Sequence, residues 1–135
     1  MATDTPTLQW STEEPAIPVP TPHELDQALH KIAARCTAER PIIVALYAHG
    51  YEVGIGLGLP QSFVNVKSWE RDTPESCLIT VGDERTVHGI VFFFLNARPT
   101  EIPQRNLIPA TQARQIVREF LETGNRSKSV KWEQL

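Results

Sequence analysis

At 135 residues, with 41% hydrophobic and 21% charged side chains, the chain has the size and balance of one globular domain, which argues against a two-lobed enzyme and against any need for disulfide or metal staples. Its formal net charge of −3 argues against a protein that lives on DNA, RNA or anionic lipid, because those partners require a basic face; basic protein partners remain open. Cys36 and Cys77 stand without a CxxC or a nearby histidine pair, so they read as free thiols of a reducing cytoplasm, and the absence of an apolar run of roughly 18 residues or of a signal-like start predicts a soluble, non-exported protein.

Residues 1–20 form a Pro-rich, extended N-terminal arm, since the stretch Pro15-Ala16-Ile17-Pro18-Val19-Pro20 cannot be helical. A single α+β domain is expected over residues 21–135. Thr21-Pro22-His23-Glu24 opens it with a capping box: Thr at N-cap, Pro at N1 and Glu at N3 satisfy backbone N–H groups that a helix start leaves orphaned. Leu25, Ala28, Leu29, Ile32, Ala33 and Cys36 follow at helical spacing until Pro41 forbids continuation.

Ile42 to Tyr47 and Tyr51 to Gly58, joined through Ala48-His49-Gly50, read as a β-hairpin. In its second strand Val53, Ile55 and Leu57 alternate with Gly54, Gly56 and Gly58, so one face carries no side chains and something large, a helix or an aromatic ring, must pack over it. Ser62 to Val66 and Leu78 to Val81 are further strands. The Ile90-Val91-Phe92-Phe93-Phe94 run predicts a central strand over Thr86 to Leu95, covered on both faces. Residues 96–109 read as a crossing loop. Ala113, Ile116, Val117, Phe120 and Leu121 define a second helix with Gly124 as its C-cap, and Val130 to Leu135 alternate as a last strand. The fold class is therefore α+β, a mostly antiparallel sheet of five or six strands with two principal helices on one face. Trp132 is expected to be structural, its ring filling the bare face at 54, 56 and 58.

No catalytic, cofactor or metal site is indicated. The alternating glycines lie inside a strand rather than in a turn leading into a helix, so they do not form a phosphate loop. His23, His30, His49 and His88 are scattered, Ser62 lacks a nucleophile elbow, and Cys77 lacks a base. Charge segregation is the more informative signal: residues 70–97 hold five acids against two bases, whereas residues 98–135 hold seven bases against four acids. Trp69, Glu70, Asp72, Glu75, Asp83 and Glu84 combine an aromatic anchor with acids that lack evident local partners of equal number. Such a set suits a basic cleft on a partner protein.

Three stretches carry a family resemblance. Pro18-Val19-Pro20-Thr21-Pro22-His23-Glu24-Leu25-Asp26, Ile55-Gly56-Leu57-Gly58, and Glu119-Phe120-Leu121-Glu122-Thr123-Gly124-Asn125 followed by Val130-Lys131-Trp132-Glu133 resemble the Imm1 family of bacterial immunity proteins, whose members of this style are frequent in actinobacteria. Arg126-Ser127-Lys128 stands where a proline is usual after the Thr-Gly turn. The resemblance implies a cytoplasmic, non-enzymatic antitoxin of a polymorphic toxin system, without cofactor or metal, that binds a cognate toxin domain stoichiometrically; nucleic-acid deaminases, and with them nucleases, are the toxins in view. No nucleic acid or membrane is expected as a partner. A small-molecule-binding or enzymatic α+β domain, or a structural subunit whose strand edges could pair two copies into a homodimer, are the alternatives.

Overall fold

The computed structural model of the chain describes residues 5–68 and 77–135. Helix α1 spans Pro22–Ala33, and the Thr21 half of the capping box forms: Thr21 is extended and its Oγ1 accepts the Glu24 N–H at 3.2 Å, without the return bond from the Thr21 N–H to the Glu24 carboxylate. Leu25, Ala28, Leu29 and Ile32 are its buried stripe. Helix α2 spans Ala110–Thr123, buries Ala113, Ile116, Val117, Phe120 and Leu121, and stops at Gly124, whose φ of 75° turns the chain into the left-handed region. The two helices pack side by side on one face of a sheet, where Arg118 of α2 reaches Asp26 of α1 at 3.2 Å.

The strands are β1 (Thr7–Gln9), β2 (Ile17–Pro18), β3 (Ile42–Ala48), β4 (Tyr51–Leu57), β5 (Gln61–Ser62), β6 (Val64–Ser68), β7 (Cys77–Val81), β8 (Ile90–Leu95), β9 (Arg98–Pro103), β10 (Ile108–Pro109) and β11 (Lys131–Gln134). Nine of them form one sheet in the order β11-β7-β6-β4-β3-β1-β2, with β8 joined to β3 and β9 to β8, while β5 and β10 pair separately. The α+β class and the mostly antiparallel sheet are as expected, but the strand count exceeds five or six for identifiable reasons. The Pro-rich arm contributes β1 and β2, which extend the sheet beyond β3 and bury Leu8 and Val19 completely. Ser62 to Val66 is split at Phe63. The predicted crossing loop of residues 96–109 contains β9, a 3-10 turn at Gln104–Asn106 and β10.

The β3–β4 hairpin turns on His49 (φ 55°) and Gly50 (φ 80°), the two-residue turn with both central φ positive that matches strand twist. Its register places Val44 opposite Ile55 and Leu46 opposite Val53. These side chains, with Val64 and Val66 of β6, meet the two helices in the principal core.

On the other face Gly56 lies under Phe93, and a Cβ there would stand 2.5 Å from the ring's Cε2; Gly54 is filled by the Asn65 side chain, and Gly58 abuts Cys36 and Pro41. An aromatic ring does cover the bare strand, but it belongs to Phe93 and not to Trp132. Strand β11 pairs with β7, three strands from β4 in the sheet order, which at about 4.8 Å per strand puts the indole about 14 Å away. Trp132 instead stands half-buried at the sheet end, its Nε1 donating to Ser127 O at 2.9 Å and the Arg126 guanidinium 5.9 Å above its ring.

The expectation of a central strand over Thr86 to Leu95 is also corrected. β8 touches β3 at a single parallel pair, Ile42 with Phe94, and otherwise forms a hairpin with β9. Its inward residue Phe93 joins Phe63 edge to face at 5.2 Å, with Ile43, Ile79, Ile102 and Leu107 completing a second, smaller core. Because both helices occupy the opposite side of the sheet, no element among the described residues covers the outer face of this hairpin.

Candidate functional site

The turn after β7 is built on close backbone approach. The N–H groups of Gly82 and Asp83 both donate to Arg105 O, at 2.7 and 3.2 Å, and a Cβ on Gly82 would collide with the Leu107 carbonyl oxygen. The loop it opens, residues 83–89, is pinned at its far end by Gln104 N–H donating to Gly89 O at 2.9 Å. Beneath it runs a polar network: the Thr80 hydroxyl donates to Asn106 O at 3.1 Å, Asn106 Nδ2 donates to Thr80 O and to Glu133 Oε2, and Arg105 donates to Glu133 Oε1 at 2.8 Å. Thr80 and Asn106 are buried and bonded, while Arg105 and Glu133 are partly exposed and Arg105 Nε has no partner among the described residues; the bonded members tie the loop's base to β7 and β11.

Asp83 and Glu84 stand exposed on this loop, but they are not without partners. Asp83 accepts from the Arg85 backbone N–H at 3.0 Å and from its guanidinium at 3.2 Å, while Lys131 of β11 reaches Glu84 at 2.8 Å. The Arg85 hydrogen bonds hold the Asp83 carboxyl below its ordinary range, and the Lys131 ammonium does the same for Glu84. For these two acids the expectation of too few local partners is corrected: each has one cation, in exposed pairs that contribute little to stability and are readily exchanged for a partner's cations. They line a cavity of about 800 Å³ together with Arg85, Gln112, Val130 and Lys131. Trp69, Glu70, Asp72 and Glu75 lie outside the described residues.

Next along the chain comes a feature that the sequence reading missed. Val87 is 75% exposed, Ile90 48% and Phe92 45%; Ile90 and Phe92 share the face of β8 opposite Phe93, next to the acidic loop, while the exposed Leu95 alternates to Phe93's side at the hairpin end. The apolarity was visible in the sequence, but the strand's position at the sheet margin was not. β9, outside it, carries Pro99 and Pro103, which lack the N–H that strand addition uses, so side chains rather than backbone pairing are what this margin offers.

Other candidates for chemistry are absorbed structurally. His49 bonds Leu121 O through Nε2 at 2.8 Å and meets Phe120 edge to face. The Cys36 thiol is pushed up by burial and donates to Ile32 O at 3.5 Å. Among the described residues no group of three His, Cys, Asp or Glu side chains is placed to hold a metal ion, and no helix among them is long and apolar enough to cross a membrane.

No curated protein matches the chain. The family model described as Immunity protein Imm1 does match, over residues 13–134, from the end of the arm through both helices and every strand from β2 to β11. This range is nearly the whole chain, and the chain belongs to the Imm1 family of immunity proteins.

Proposed function

We propose that this protein neutralises a cognate toxin domain by binding it one to one, and that the docking surface runs from the acidic loop at Asp83 and Glu84 onto the outer face of β8. The observation that carries this reading is the exposed apolar side chains Val87, Ile90 and Phe92, in a member of an immunity-protein family. Large apolar groups left in water mark interaction sites, and an aromatic such as Phe92 supplies anchoring energy when a partner covers it. The sequence segment 69–75 adds Trp69, Glu70, Asp72 and Glu75. A nucleic-acid deaminase or nuclease needs a cationic groove for its substrate, and a protein of net charge −3 is steered into it by opposite potential. Catalysis has no part in this action, which takes place in the cytoplasm where the toxin's substrate lies.

Titration of toxin activity with the purified protein should reach full inhibition at equimolar ratio. Reversing Glu70, Asp72 and Glu75 together should slow association and flatten its salt dependence; unchanged affinity and salt dependence would assign those acids to solvated surface alone. The exposed face of β8 also favours a second reading, in which two copies bury it against each other. A mass that doubles with concentration, reverts on Phe92→Ala, and accompanies a toxin affinity indifferent to Phe92 would select that homodimer.

A further inference from the structure

Two cavities flank the segment 127–131, and Val130 lines both. The first is the cavity at Asp83 and Glu84, where the two acids are answered by Arg85 and Lys131. The second, of about 580 Å³, lies between the start of β4, the end of α2 and the loop after it. Tyr51, Phe120 and Trp132 form its aromatic wall, with Arg126 and Lys128 as its charged groups, and among the described residues no carboxylate lines it. Among the described residues neither Arg126 nor Lys128 forms an ion pair, and the Tyr51 hydroxyl has no hydrogen-bond partner.

This loop is nonetheless ordered from within. Ser127 is buried, its hydroxyl bonds that of Ser129 at 2.7 Å, its carbonyl holds the Trp132 indole, and the indole face carries Arg126. Among the described residues Arg126 and Lys128 stand uncompensated around an aromatic recess, a local field opposite to the net charge of −3.

We infer that this recess is a second contact for the toxin and that it receives an acidic segment of the partner, one carboxylate between Arg126 and Lys128 and an adjacent apolar side chain against Tyr51 and Trp132. The inference rests on the toxin-binding reading above. Charge complementarity selects the occupant, and contiguity supports it: the recess joins the acidic-loop cavity across Val130, and that loop leads to β8. A partner laid along this path meets an uncompensated positive site at one end and an apolar face at the other, which fixes its orientation, since a rotated toxin would set a basic patch against Arg126 and Lys128.

The test measures association and dissociation of the toxin complex at low and high salt. Lys128→Glu, which removes no internal contact, should weaken binding, and Arg126→Glu with Lys128→Glu should weaken it by about tenfold or more at low salt, mostly through slower association. The loss should shrink at high salt, with the melting temperature of Lys128→Glu at the wild-type value. Unchanged affinity in both variants, while Phe92→Ala weakens the complex, overturns this inference and leaves the toxin-binding reading standing. A wild-type chain that binds no toxin overturns both. Inorganic phosphate that shifts the amide resonances of Tyr51 and Trp132 without competing with the toxin identifies a free-anion site and also overturns it.

Discussion

The β3–β4 and β8–β9 hairpins are alike locally and opposite in circumstance. Each closes on two consecutive residues of positive φ, His49 and Gly50 in one, Asn96 (49°) and Ala97 (70°) in the other, and each contains a strongly apolar strand. The first lies mid-sheet with both helices over Val44, Leu46, Val53 and Ile55; the second is attached at one pair of residues and buries one side only. Turn chemistry and hydrophobicity decide that a hairpin forms, whereas neighbours decide which apolar faces are used for stability and which remain for a partner.

Phe93 and Phe92 test this division within a single strand. Phe93 is fully buried over Gly56, so Phe93→Ala should cost about 3–5 kcal/mol, read from the denaturant midpoint, and an undiminished midpoint would show that the second core carries no stability. Phe92→Ala should cost about 1 kcal/mol or less in stability but about 2 kcal/mol in toxin affinity, by calorimetry; the reverse ranking would make the outer face part of the fold.

The turns offer a finer comparison. Asn tolerates the left-handed region and Asn96 also accepts the Thr12 N–H at 2.9 Å, but Ala97 has the Cβ that Gly50 lacks. Ala97→Gly should therefore stabilise by about 1 kcal/mol, and a lowered melting temperature would show that the alanine methyl is needed there. The smallest effect belongs to Tyr47, whose hydroxyl is pushed above its ordinary value by burial and then by the neighbouring Glu52. Folding favours the neutral phenol, so its contribution is fully present below the unfolded value of about 10 and is lost as pH rises through the folded one. Stability of wild type relative to Tyr47→Phe should decline across that alkaline range, a slope that would be flat if the phenol titrates alike in both states.

What the residues determined by themselves were the features enforced within a few positions along the chain. The Thr21 cap, the stripes of α1 and α2, the Gly124 stop and the His49-Gly50 turn each follow from hydrogen bonds or steric limits spanning about one helical turn, and such constraints are written locally. The Trp69 to Glu75 segment stays at the level of its sequence. Tertiary structure alone decided that Phe93 rather than Trp132 covers Gly56, that Lys131 answers Glu84 from 47 positions away, and that the most apolar strand sits at a margin with one face in water. An apolar run reports how much a segment gains by leaving water; it carries no record of which side the helices will take.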